Sequence, residues 1–321
     1  MKTMDTIKKI KKKPKQKIKS PLPMRDGVSA SRVWLPKDTD NNWTTVLDFL
    51  VERFPFISSE ILQERMSRGD IVDESGRQFA IESLYQGELF LFYYREIPDE
   101  PAIPFKEKIL FKNDNFIVVD KPHFIPVTPG GRYVKESLLS RLKHHYQIEE
   151  ISPIHRLDRE TAGIVMFTCN PEVRGAYQSL FQKRQVDKVY EAIAPTTDNH
   201  IFPLIHKSRI VKSETFFIMK EDEGEINSET SISILEEKDS LARYQLKPIT
   251  GKQHQLRVHM MSLGIPILHD PFYPELLPCK GENYSNPLQL LAKTISFVDP
   301  ITNKKQFFSS KQELNLEKVL L

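Results

Sequence analysis

Two hydrophobic periods alternate along the chain, and their boundaries predict its elements. Val46, Leu47, Phe49, Leu50 and Phe54 recur at helical spacing. Ser58 and Ser59 precede residues 60–66, a second helix with serine as its N-cap. Arg68-Gly69 reads as a C-cap glycine leading into a strand at residues 70–72. Residues 74–77 predict a turn and residues 89–93 an apolar strand. Residues 109–111 and 116–119, parted by Asn113-Asp114-Asn115, predict a β-hairpin. Residues 137–146 predict a helix with Leu138, Leu139 and Leu142 on one face, and residues 164–168 a buried strand. Asn170-Pro171 opens a further helix whose core face is Val173, Ala176, Tyr177, Leu180 and Phe181. Residues 188–194 alternate as a strand, and residues 228–235 and 242–246 predict two more. A helix over residues 252–263 is stopped by Gly264 and Pro266. Helices and strands interleave without a regular βαβ rhythm. That favours an α+β fold with a mixed, mostly antiparallel sheet.

With 321 residues there is room for two domains. Pro98, Pro101 and Pro104 mark a linker over residues 98–104. It separates a small module over residues 42–97 from a larger domain over residues 105–321. No apolar run approaches the ~20 residues of a membrane helix, and no apolar stretch of signal-peptide type follows the basic N-terminus. Cys169 and Cys279 are too few and too far apart for a zinc site or a disulfide framework, so both are expected as reduced thiols of a cytoplasmic protein. The formal charge of +3 conceals an asymmetry. Residues 1–25 hold nine lysines and Arg25 against Asp5, a net of +9, which leaves −6 over the rest. A basic, disordered arm over residues 1–30 follows, serving either sequence-independent attraction to RNA or solubility.

The chemistry concentrates in residues 153–163, Pro-Ile-His-Arg-Leu-Asp-Arg-Glu-Thr-Ala-Gly. Asp158 stands between Arg156 and Arg159, and an apolar run, residues 164–167, follows at once. A carboxylate beside guanidinium groups stays ionised at neutral pH. Held next to a buried strand it can serve as nucleophile or base. The arginines suit an anionic ligand such as a phosphate backbone, although a plain surface ion pair has the same letters. On the helix predicted from residue 252, His254, Arg257 and Met261 share a face. His254 and His259 lie five apart, which splits them across the helix, and no HExxH is present, so no metal is expected. Nicotinamide fingerprints and glycine-rich phosphate loops are absent as well.

Residues 155–163 resemble the signature H-R-L-D-x-x-T-(S/A)-G of the RluA family of pseudouridine synthases. Residues 250–259, Thr-Gly-Lys-Gln-His-Gln-Leu-Arg-Val-His, resemble its T-G-R-x-H-Q-(I/L)-R-x-H, and Lys188-x-Tyr190 its K-x-Y strand. Smaller echoes are Asp120-Lys121-Pro122, His269-Asp270-Pro271-Phe272-Tyr273, and Leu290-Leu291-Ala292 with Phe297 and Pro300. The chain departs from the family pattern at Ala162, Lys252, Pro274 and Leu291. The small module is similar to an S4-type RNA-binding module, with Ser58-Ser59 where that pattern usually has Arg.

The resemblance implies isomerisation of uridine in structured RNA to pseudouridine without a cofactor, on a base flipped out of its stack. It implies Asp158 as nucleophile or base, Tyr190 stacked on the uracil and able to take a proton, and Arg257 paired with Asp158. Arg156 would fill the vacated stack, and His155, Arg159, Lys188, Lys252 and His254 would contact RNA. The S4-like module favours ribosomal over transfer RNA; a monomer with no membrane or metal partner is expected. Two other readings use the same residues: an RNA-folding protein on a synthase scaffold, and a hydrolytic nucleosidase.

Overall fold

The computed structural model describes residues 19–95, 100–215, 217–278 and 283–320. The chain divides into two units, Met1–Pro98 and Asp99–Leu321.

The small unit comprises β1 (Ser31–Leu35), α1 (Val46–Arg53), α2 (Ser59–Ser67), β2 (Ile71–Asp73) and β3 (Leu89–Tyr93). Its strands form an antiparallel sheet in the order β1-β3-β2. The Thr45 hydroxyl accepts from the Asp48 amide while the Asp48 carboxylate accepts from the Thr45 amide, a reciprocal cap that starts α1. Ser58 caps α2 as the sequence predicts, and Gly69, at φ +72°, ends it. Val46, Phe49 and Leu50 of α1 and Leu62 and Met66 of α2 pack on Val33, Leu35, Ile71 and Leu91.

Two expectations change here. β1 lies in a stretch without a predicted element, and residues 20–30 do not continue the arm. Val28 is buried, Leu22 and Ala30 pack with Trp34, Phe90 and Phe92, and the Tyr94 hydroxyl donates to the Pro23 carbonyl. Arg25 lies over the Tyr94 ring and pairs with Asp70. The apolar side chains that begin at Leu22 give this stretch something to bury. Residues 1–18 of the arm fall outside the described residues.

The large unit runs β4 (Lys108–Lys112), β5 (Phe116–Lys121), α3 (Leu138–Tyr146), β6 (Ser152–Pro153), β7 (Ala162–Thr168), α4 (Arg174–Gln182), β8 (Val186–Pro195) and β9 (Leu204–Lys212). It continues with β10 (Met219–Asp222), β11 (Ser228–Lys238), β12 (Leu241–Pro248), α5 (Gln255–Ser262), β13 (Leu290–Val298), β14 (Lys305–Ser309) and α6 (Leu316–Leu320). Its strands form one sheet ordered β10-β9-β11-β12-β8-β13-β7-β5-β4, with β14 beside β13 and β6 beside β7. Among the described pairs β13–β7 is parallel and the rest antiparallel, which is the mixed α+β sheet the sequence predicts.

One core half gathers Ala192, Ala194, Tyr244 and Leu246 under Leu256 and Met260 of α5. Another gathers Ile117, Val119, Val165 and Phe167 under Leu138 and Leu142 of α3. The large unit claims part of the predicted linker. The Glu100 carboxylate accepts from the amides of Val134, Lys135 and Glu136, and Ile103 is buried. Pro98 lies outside the described residues.

Two helices begin later than their patterns suggest. α4 starts at Arg174, because the Asn170 side chain accepts from the Glu172 amide and closes a local turn instead of capping a helix. α5 starts at Gln255, because the Gln255 side chain accepts from the Lys252 amide and the Thr250 hydroxyl, and His254 takes φ +55°. Residues 252–254 are therefore a structured turn.

The β13–β7 contact is the seam between the two core halves, with Leu291 opposite Ala162 and Ala292 opposite Gly163. Gly163 adopts φ +108°, and a Cβ there would lie 2.3 Å from the Ala292 carbonyl oxygen. Both facts require glycine at the residue where the Asp158 loop joins its strand. Gly163→Ala is expected to cost at least about 2 kcal/mol of stability, read as a lowered urea midpoint.

Candidate active site

The loop between β6 and β7 carries the signature residues, and the chain fastens it from beneath. Lys121, at the end of β5, is fully buried. Its Nζ donates to the carbonyls of Pro122, Ile125 and Arg159 at 2.9–3.1 Å. Burial pushes this amine down to about 7, against the opposing pull of Glu160 and Asp158. Three carbonyl acceptors match the three N–H donors of an ammonium, so the geometry favours the charged form over the neutral amine. His123 Nδ1 donates to the Glu160 carbonyl at 2.7 Å. Arg159 does not flank Asp158 as a free cation. Its guanidinium reaches the Phe124 carbonyl, Glu160 and the Tyr133 hydroxyl. Phe124 itself sits at φ +70°, a strained setting for a bulky residue.

Asp158 meets its partner from α5. Arg257 Nη1 donates to Asp158 Oδ2 at 3.0 Å. The other edge of the guanidinium grips Asp270, Nε to Oδ2 at 2.7 Å and Nη2 to Oδ1 at 2.6 Å. Asp270 in turn accepts from the amides of Phe272 and Tyr273. The Arg257 and Asp270 side chains are 1% and 0% exposed, whereas Asp158 is 33% exposed. Burial alone would weaken the hold of Arg257 on its proton, but Asp270 and Asp158 reverse that and keep it firmly cationic. The arginine is thus fixed by one carboxylate and presents its remaining edge to the other.

His254, placed by its left-handed backbone, brings Nε2 to 3.7 Å from Asp158 Oδ2. Its Nδ1 lies 2.9 Å from the Tyr273 hydroxyl, which also accepts from the Met219 amide. With the Tyr273 proton directed at Nδ1, the imidazole proton sits on Nε2, toward Asp158. Burial lowers the pKa of His254, more than Asp158 raises it. His254 is buried but lines the cavity beside Asp158, where it supports that carboxylate.

Asp158, Tyr190, Arg156, Lys188 and Arg257 line a cavity of about 110 Å³. A wider cleft of about 920 Å³ shares Arg156, Asp158, Lys188, Tyr190 and Lys252 with it. Tyr190 and Lys188 are neighbours on one face of β8. Burial, and then the Asp158 charge, raise the pKa of the Tyr190 hydroxyl, so it stays protonated at neutral pH. Burial lowers the Lys188 ammonium, which donates to the Thr250 carbonyl at 3.2 Å. Arg156 and Lys252 are exposed on the cleft. His155 also lines the cleft, where its Nε2 accepts from the Met166 amide and its ring stacks on Phe181. Burial pushes it down to about 3, so it stays neutral.

The structure therefore unites Asp158, Tyr190 and Arg257 and keeps Arg156, Lys188 and Lys252 at the cleft; His155 and Arg159 also line the cleft and His254 the cavity, each held by bonds within the protein. Sequence reasoning quoted Asp270 and Lys121 within its smaller echoes without giving either a role.

The profile of the RNA pseudouridylate synthase family matches residues 115–262. Human pseudouridylate synthase RPUSD2 is 33% identical over 184 residues, which cover 56% of this chain and 33% of that protein. Its mouse counterpart is covered to a similar extent, 32%, so the chain spans about a third of the length of these two relatives. The dual-specificity RNA pseudouridine synthase RluA of Pasteurella multocida is 30% identical over 234 residues, covering 65% of this chain and 94% of that protein. Among solved structures, human RNA pseudouridylate synthase domain containing 1 shares the fold, with a TM-score of 0.54 at 20% identity over 68% of this chain and 95% of that one. The seam, the loop and the α5 clasp are thus features of a pseudouridine synthase fold. The chain belongs to the RluA family of RNA pseudouridine synthases.

Asp270→Asn removes the charge that holds Arg257 inside the protein. It is expected to cost about 3–5 kcal/mol, the usual loss when one partner of a buried ion pair goes. Denaturant titration measures that loss.

Proposed function

We propose that this chain isomerises uridine in structured RNA to pseudouridine through Asp158. The arrangement of Asp158, Arg257 and Asp270 carries this reading. The reaction breaks the C1′–N1 bond, turns the uracil and joins C5 to C1′. It calls for an anionic carboxylate held at fixed geometry, a pocket for one pyrimidine and no external oxidant or metal. Asp158 Oδ2 is occupied by Arg257 and approached by His254. Oδ1 has no hydrogen-bond partner among the described residues and is available to act at the ribose, as nucleophile at C1′ or as base at the 2′ position. Because Asp270 shares the arginine, Asp158 is oriented without its charge being cancelled.

Tyr190, on the same cavity, supplies the ring on which the uracil rests. Its raised pKa excludes a standing phenolate, so it moves a proton only by passing on its own as it receives another. Arg156, exposed at the mouth, fills the gap left by a base drawn out of the RNA stack. Lys188 and Lys252 attract the backbone. RNA is the substrate class. Within it we assign ribosomal rather than transfer RNA as the substrate of a monomeric enzyme. That assignment is supported by the two capped helices and short strands of the small unit, which resemble an S4 module, and by the nine lysines before residue 20.

Asp158→Asn is expected to abolish tritium release from C5-labelled uridine RNA while RNA binding persists; substantial turnover by that variant would remove the proposal. Free uracil as product would instead identify a nucleosidase. Tyr190→Phe is expected to retain binding and lower the single-turnover rate by about a hundredfold or more, and an unaltered rate would exclude proton transfer through its hydroxyl.

A further inference from the structure

Away from the cleft, three ligand-type side chains converge from three elements: His206 of β9, Glu221 of β10 and His259 of α5. Their donor atoms lie within 4.8 Å of one another. His206 Nε2 is 2.8 Å from Glu221 Oε1, and His259 Nε2 is 3.9 Å from the same oxygen. A tetrahedral zinc ion with ordinary Zn–N and Zn–O bonds holds its ligand atoms about 3.4 Å apart. Two of the three spacings bracket that value, and the third pair, within 4.8 Å, closes by a shift of the His206 or His259 ring toward the carboxylate. None of the three residues lines the cavity or the cleft around Asp158.

The surroundings suit a ligand set. His259 is fully buried, and its Nδ1 lies 2.9 Å from the Thr230 hydroxyl oxygen. Thr230 is itself fixed by the Gln255 amide. An Nδ1–H donated to Thr230, the outer contact that orients metal-bound imidazoles, leaves the Nε2 lone pair toward the Ser228 hydroxyl at 3.0 Å and Glu221 at 3.9 Å. Burial pushes His259 down to about 4, so it is neutral and able to ligate at any physiological pH. Burial would raise the Glu221 carboxyl, but hydrogen bonds from His206 and Ser208 bring it below its ordinary value, so it is ionised. Ser208 Oγ lies 3.2 Å from His259 Nε2 and borders the cluster as a further oxygen. The His206 and Glu221 side chains are 20% and 24% exposed, which leaves a way in from solvent. The spacing that sets His254 and His259 on different sides of the helix argued against a site between those two; the partners of His259 come from the sheet.

We propose that His206, Glu221 and His259 bind one divalent transition-metal ion of the zinc class. Two imidazole nitrogens and one carboxylate oxygen are a zinc-type donor set with the fourth position left to water or to Ser208. The ion clips the β9–β10 ribbon to α5, beside the apolar contact that Val258 makes with Ile210 and Met219. Its role is structural: it braces the helix that carries Arg257 two residues earlier.

The test reads metal binding directly and is independent of uridine isomerisation. The full chain, stripped with a chelator and desalted, is titrated with zinc by calorimetry and with cobalt(II) by visible absorption. One ion per chain, the intense absorption of four-coordinate cobalt and a Tm that rises until one equivalent is bound are expected. His206→Ala and Glu221→Gln, each checked for folding by circular dichroism, are expected to weaken zinc binding by at least about a hundredfold, since losing an outer contact alone costs up to that much. His259 is not substituted, because its burial makes any change a test of folding. Failure of the wild-type chain to bind zinc at micromolar concentration would overturn the proposal. So would binding that both variants leave unchanged, which would place the ion elsewhere.

Discussion

The buried guanidinium of Arg257 is the constraint on which the site depends. Taking such a group out of water costs several kcal/mol unless it is neutralised and its donors are used. Asp270 does both through two short contacts, and the backbone amides of Phe272 and Tyr273 fix Asp270 in turn. The cation is therefore immobile before Asp158 enters the account. Asp158 then receives a donor whose position is set by the core and not by the loop that carries Asp158. Two carboxylates around one arginine leave a surplus negative charge, and the exposed carboxylate is where that surplus can react. Preorganised charge of this kind needs no rearrangement when the reaction begins.

The loop has its own restraints, which come from the opposite half of the sheet. Lys121 holds the Arg159 carbonyl and His123 the Glu160 carbonyl, while Arg159 itself is drawn to Phe124 and Tyr133. At the far end Gly163 lets the strand pass against Ala292 at the seam of the two core halves. Asp158 is thus pinned between a support built on β5 and a cation delivered by α5. Tyr190, on β8 at the middle of the sheet, closes the cavity from a third direction. The left-handed backbones of Phe124 and His254 fall at this junction, where a strained turn directs a carbonyl or an imidazole to a place a regular element cannot reach.

Charge placement separates the binding surface from the machinery beneath it. The exposed cations Arg156 and Lys252 at the cleft can meet phosphates or bases. Lys121 and Arg257 are drawn inward and spend their donors on the protein. The same residue types appear in both groups, and burial decides which does which. The cluster of His206, Glu221 and His259 extends this logic to the other side of α5, where the sheet ribbon rather than the loop supplies the partners.

The amino-acid sequence by itself determined most elements and marked the residues that meet at the site. Local signals sufficed for α1 to α3, β3 and the β4–β5 hairpin, because their apolar periods, and the Ser58 cap of α2, act within a few residues. The motifs around Asp158, Tyr190 and Arg257 were legible as letters for the same reason. Tertiary structure decided what local signals could not. It chose Arg257, 99 positions away, as the partner of Asp158 in place of the adjacent Arg156 and Arg159. It delayed α4 and α5 through side-chain hydrogen bonds of Asn170 and Gln255, ordered residues 20–30 against Tyr94, and recruited β9 and β10, whose mixed polarity shows no clear period. It also gave His155, Arg159 and His254, which border the cleft and the cavity, partners within the protein. Each of these depends on which distant groups share a low-dielectric interior. There an unpaired charge or amide is costly, and the chain folds so that each finds a partner.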